Sequence, residues 1–99
     1  MPEMRFLIRW PDGRRESCYS PSLIVRDYLS EGVSYRLDDF LARIRAALTI
    51  ASERVRAKYG RACSLALQQL ARTEAGAAPF AKAREARALC ETFLTETSE

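Results

Sequence analysis

The sequence predicts an α+β domain in which an N-terminal β-hairpin packs on a small bundle of three to four helices. Three observations carry this expectation. Apolar residues alternate with period two near the start, a Pro-Asp-Gly turn follows, and from Ser34 onward apolar residues recur at helical spacing. The chain has 99 residues, 47% hydrophobic and 29% charged, which is the composition of one ordinary globular domain. A domain of this size buries roughly 60 to 65% of its unfolded surface, so its core is modest and leaves little apolar material for a deep substrate pocket.

The hairpin is expected over about residues 4–19. In "MRFLIRWPDGRRESCY", Phe6, Ile8 and Trp10 alternate with Leu7 and Arg9, as on a strand with one buried face. Pro11-Asp12-Gly13 then supplies a preset φ, a local backbone acceptor and a residue at ease with positive φ. Arg14 to Tyr19 should return as the second strand. Two strands alone are marginal, so they must lie against the apolar side of whatever follows. Trp10, at the tip of the hairpin, reads as a lid on that core and also as a candidate for an interaction surface.

The helical body is expected over about residues 21–94. In "SPSLIVRDYLSEG", Ser20, Pro21 and Gly32 frame a short helix from about Ser22 to Leu29, although Leu23-Ile24-Val25 also fits a third strand. Leu37, Leu41, Ile44, Leu48, Ala51 and Val55 then form a sustained helical stripe that Gly60 stops. A second helix is expected near Ser64 to Ala75, with Leu67, Leu70 and Ala71 on one face. Gly76 to Pro79 breaks the chain, a third helix near Phe80 to Leu94 carries Phe80, Ala83, Cys90 and Phe93, and the tail 95–99 frays.

Charge is concentrated in "ASERVRAKYGRACS", where Arg54, Arg56, Lys58 and Arg61 crowd together. These four form the candidate anion-binding region, and free amides at the start of the next helix would reinforce it. The competing reading is a solvated helix surface, since Arg36, Arg43 and Arg54 fall along one edge of the apolar stripe and Arg45 and Arg56 along the other. A net charge of +3 permits anionic partners without demanding them. Ile50 lies off the main stripe, next to Thr49 and Glu53, and is the second candidate for an interaction surface.

Catalytic chemistry finds little to work with. The chain has no histidine, which removes the usual general base and any Ser-His-Asp or Cys-His arrangement within one chain. Its four glycines are isolated and form no phosphate-binding loop. Asp38 and Asp39 sit where the dipole of the long helix favours acidic residues. Cys18, Cys63 and Cys90 are far apart and match no zinc spacing. They read as free thiols in a reducing compartment, with Cys63 either activated at a helix start or a small buried hydrophobe. No catalytic residue, metal site or cofactor is therefore expected. The N-terminal "MPEMRFLIRW" lacks the continuous apolar core of a secretory leader and no segment approaches a membrane-spanning length, so a cytoplasmic location is expected.

The runs "RWPDG", "CYSPSLIVRDYL", "SYRLDDFLARIRAALTIASERVRAKYG" and "CSLALQQLA" resemble a small family of bacterial nitrogen starvation response proteins, over residues 4 to about 74. The resemblance implies a cytoplasmic protein whose gene clusters with those of a nitrilase, a radical SAM protein, an N-acetyltransferase and a flavin-dependent oxidoreductase. It implies no catalytic residue. Joined to the missing catalytic set and to Ile50, it points to a non-enzymatic accessory or adaptor protein. That protein would bind an enzyme from the same gene cluster or form a homo-oligomer. The alternative is a regulatory binder of nucleic acid or a phosphorylated metabolite through Arg54, Arg56, Lys58 and Arg61.

Overall fold

The computed structural model describes residues 3–61, 63–83 and 85–95. Four strands, β1 (Met4–Arg9), β2 (Arg15–Ser20), β3 (Val33–Arg36) and β4 (Arg87–Thr95), form one antiparallel sheet in the order β2-β1-β4-β3. Two helices, α1 (Leu37–Tyr59) and α2 (Ser64–Ala77), cover one face of it. The α+β class and the N-terminal hairpin are as expected, but two helices stand where three to four were predicted.

The hairpin follows its sequence closely. Met4, Phe6 and Ile8 point into the core, Gly13 takes φ 92°, and its amide donates to the Trp10 carbonyl at 2.9 Å. The segment after it is helical rather than a third strand, but the helix is of the 3-10 type and shorter than expected. Leu23–Asp27 makes only a short 3-10 turn, started by Ser22, whose hydroxyl accepts the Ile24 amide. The dissenting apolar run Leu23-Ile24-Val25 is spent on packing, with Val25 fully buried. The third strand comes later, at Val33–Arg36, so the first three residues of the expected long helix are extended and α1 begins at Leu37.

The larger correction concerns the C-terminal segment, which is the strand β4 and not a helix. Ile8 pairs with Cys90, but Leu7 pairs with Thr92, so Glu91 is an extra residue bulged from the ladder. Ala88 and Cys90 face the core before the bulge, and Phe93, opposite Phe6, faces it afterwards. The bulge changes the parity of the inward positions. Period two is thereby broken, and the intervals between Phe80, Ala83, Cys90 and Phe93 imitate a helix. The expected frayed tail lies outside the described residues apart from Thr95, which belongs to β4.

Trp10 is enclosed, being only 2% exposed. Its Nε1 donates to Glu16 Oε1 at 2.8 Å, and its ring meets Phe40 edge-on with centroids 6.0 Å apart. The lid reading therefore holds, and Trp10 offers no interaction surface. Gly76, in the last turn of α2, makes room for it: a Cβ there would lie 2.7 Å from Trp10 Cζ2.

Two side chains finish what the sheet leaves unpaired. At the outer edge, Gln69 of α2, 1% exposed, accepts the Tyr19 amide at 3.0 Å and donates to Thr73 Oγ1 at 3.0 Å. On the other side, β3 stops short of the far half of β4, and Glu31 takes its place. Its carboxylate accepts from the Phe93 amide at 2.6 Å and from the Thr92 hydroxyl at 2.7 Å, which holds the carboxyl below its usual range.

Gly76→Ala separates two effects of known sign. Alanine gains about 1 kcal/mol of helix propensity over glycine, whereas overpacking a core typically costs about 1–3 kcal/mol. Trp10 is pinned by Glu16 and Phe40, so packing should win and urea denaturation should show a net loss of stability. A more stable variant would show that the indole moves freely.

Candidate functional surface at the helical hairpin tip

The core-facing stripe of α1 runs from Leu37 to Ala51, and beyond Ser52 no residue of the helix is buried. The last two turns therefore project past the sheet. Gly60, at φ 85°, reverses the chain, and its amide donates to the Arg56 carbonyl at 2.8 Å. Cys63 then precedes α2, its carbonyl accepting the Leu67 amide.

This tip gathers large apolar side chains that water still reaches: Tyr59 is 62% exposed, Leu65 55% and Leu67 52%. Isolated exposed leucines are ordinary on a protein surface, but Tyr59 and Leu67 lie on the same side of the helical pair. Arg45 of α1 bonds Glu74 of α2 at 2.8 Å, which identifies the flanks that face one another. Leu67 lies one heptad before Glu74 and Tyr59 two heptads after Arg45, so both border the outer seam between the helices. Leu65 lies on the opposite flank of α2, in a cleft it shares with Arg5, Tyr19 and Arg72.

The four candidate anion-binding cations do not converge. Arg54 turns back along the body and donates to Ser22 Oγ at 3.0 Å, steadying the 3-10 turn. Lys58 Nζ lies 5.6 Å from the centroid of the Tyr59 ring. Arg56, about 200° around the helix from Arg54, and Arg61 are exposed and have no hydrogen-bond or ion-pair partner among the described residues. The result is a positively charged fringe around an apolar patch. Ile50 is half-buried on the flank with Arg43 and Arg54, which bond the Tyr28 carbonyl and Ser22 beside the 3-10 turn.

The open face of the sheet carries a second charged group. Arg9 and Arg15 both grip Glu91, at 2.7 Å and 2.9 Å, at the bulge. Partial desolvation pushes the Glu91 carboxyl up, and the bonds from Arg15 and Arg9 outweigh it, so the group stays below its usual range. Among the described residues, no group of three or more cysteine, aspartate and glutamate side chains is placed to hold a metal ion, and no helix is long and apolar enough to cross a membrane.

Sequence reasoning placed Leu67, Leu70 and Ala71 on the buried face of α2. The buried residues are instead Ala66, Gln69, Thr73 and Ala77, with Leu70 half-buried and Ala71 exposed. The error has a physical source. The helix meets a strand edge that needs hydrogen bonds, so polar residues go inward and Leu67 is left outside. A buried glutamine that caps a strand leaves no apolar periodicity to find.

The structure defines a small two-layer α+β domain whose helical pair projects beyond its sheet. The chain belongs to the family described as nitrogen starvation-induced protein NitG, which it matches over residues 5–93. That span takes in β4 as well as the hairpin and both helices. No significant match is found among curated proteins or solved structures.

The thiols provide a check on this geometry. Cys18 and Cys90 are fully buried, and desolvation raises both, Cys90 to about 11, whereas Cys63 is half-exposed at the tip. A water-soluble maleimide should label Cys63 alone in the native protein and all three cysteines in denaturant. Prompt native labelling of Cys18 or Cys90, read by peptide mass spectrometry, would contradict the packing described.

Proposed function

We propose that this protein is a non-enzymatic accessory or adaptor of the nitrogen-starvation response, acting by protein–protein contact through the tip of its helical pair. The observation that carries the reading is the pair Tyr59 and Leu67 along the outer seam of the helices, each more than half exposed. Aromatic and apolar anchors of this kind dominate binding energy when a partner covers them. Arg56, Lys58 and Arg61 fringe the patch, so the complementary surface is apolar at its centre and acidic at its rim. The family's nitrogen-starvation description and the gene cluster implied by resemblance make an enzyme of that cluster the first candidate partner. A second copy of the chain is the other candidate. The anion-binding alternative is less favoured because Arg54 and Arg56 point to different sides of the helix and Arg54 is already engaged.

The double variant Tyr59→Asp/Leu67→Asp tests this reading. Both positions are exposed, so the fold should survive with a stability change of roughly 0.5 kcal/mol per site. Against the purified nitrilase, radical SAM protein, N-acetyltransferase and flavin oxidoreductase, calorimetry should find at least one partner. The variant should then bind it at least about tenfold more weakly, the equivalent of about 1.4 kcal/mol. Self-association through the tip would appear as a concentration-dependent native mass that the variant loses. If none of the four enzymes binds and the wild-type protein stays monomeric, or if the variant binds as tightly as wild type, the reading fails.

A further inference from the structure

At the end of the helix–helix seam opposite the tip lies a cavity of about 330 Å³. Its floor is apolar, formed by Leu37, Leu41, Ala77 and Phe80, and Ala81 stands at its mouth. The volume falls at the lower end of the range for small-molecule sites, which are mainly apolar with a few placed polar groups. Here those groups are Arg36, just before α1, and Arg45, in its third turn.

Both guanidiniums keep donors in reserve. Arg45 gives its Nε to Glu74 at 2.8 Å, and Arg36 reaches Asp38 only at 3.4 Å. All four side chains are open to water, at 54% and 43% exposure for the first pair and 60% and 73% for the second. Such pairs contribute little stability and rearrange readily. A guanidinium has five N–H donors, so each arginine can hold its carboxylate partner and still receive a second anion. Asp38 and Glu74 stand at the same rim as the partners of these arginines. Spare capacity at the rim is therefore for acceptors, and the floor is for hydrocarbon.

We propose that this cavity binds a small amphiphilic carboxylate, its apolar body on Leu41 and Phe80 and its anionic head on Arg45, with Arg36 as the second donor. The site is separate from the docking tip, and neither reading depends on the other. An occupant would rest on both helices at the closed end of the seam whose open end carries Tyr59 and Leu67.

Three probes of equal length separate the elements of the claim: 4-phenylbutyrate, 4-phenylbutanol and 4-phenylbutylamine, titrated into the isotope-labelled protein and followed by amide chemical shifts. The carboxylate should bind saturably, at least about fivefold more tightly than the alcohol or the amine, with shifts centred on residues 36–45 and 74–83. Arg45→Gln should remove that advantage while leaving alcohol binding unchanged. Ala81→Trp, which fills the mouth, should abolish all three, and Arg56→Gln at the tip should alter none. The absence of saturable shifts at millimolar probe would overturn the proposal. So would tightest binding of the amine, or an Arg45→Gln protein that still prefers the carboxylate.

Discussion

The fold depends on the pairing of β4 with β1, which joins the last strand of the chain to the first. β4 is central in the order β2-β1-β4-β3, so it supplies a partner to β1 on one side and to β3 on the other. Without it, β1 and β2 would be an isolated hairpin and β3 four residues without a ladder. The helices could not then rest on a continuous apolar surface. Because the contact spans most of the sequence, its loop-closure entropy must be met before any of the sheet is complete, and the topology is slow to form for a chain of this size.

What remains is the handling of edges. A four-stranded sheet has two, and each carries amides that must find an acceptor or water. Gln69 answers for Tyr19 from the buried side of α2, and Glu31 for Phe93 where β3 has ended. Both are side chains standing in for an absent strand. The first also locks α2 onto the sheet, and Trp10 under Gly76 does the same with an apolar contact. These two fastenings, about two turns apart on α2, leave its N-terminal end and the last turns of α1 without support from the sheet. The projecting tip follows from where the fastenings lie.

Legibility in the sequence followed the kind of signal each element used. The hairpin and α1 were readable because a single apolar face dictates each, with Gly13 and Gly60 marking their ends by positive φ. β4 was not, because the extra residue at Glu91 inverts the inward parity halfway along. α2 was located correctly and oriented wrongly, since its buried face carries Gln69 and Thr73 for hydrogen bonding while Leu67 faces water. Of the candidate site, the cationic fringe was visible as composition. Its dispersal around the helix, the engagement of Arg54 with Ser22 and the burial of Trp10 were tertiary facts. Exposure of Tyr59 depends on where the sheet ends, which no local pattern encodes.

Stability is concentrated at one end of the molecule, and the proposed recognition surface lies at the other. Amide hydrogen exchange, run on the free protein and again with a purified partner enzyme, tests this division most directly. In the free protein, β1 and β4 should be the most protected and the tip from about Arg56 to Leu67 among the least. The partner should slow exchange at the tip and leave the open face of the sheet unchanged. Protection that appears on β2 and β4 around Glu91, with the tip still exchanging at its free rate, would contradict the account and place recognition on the sheet.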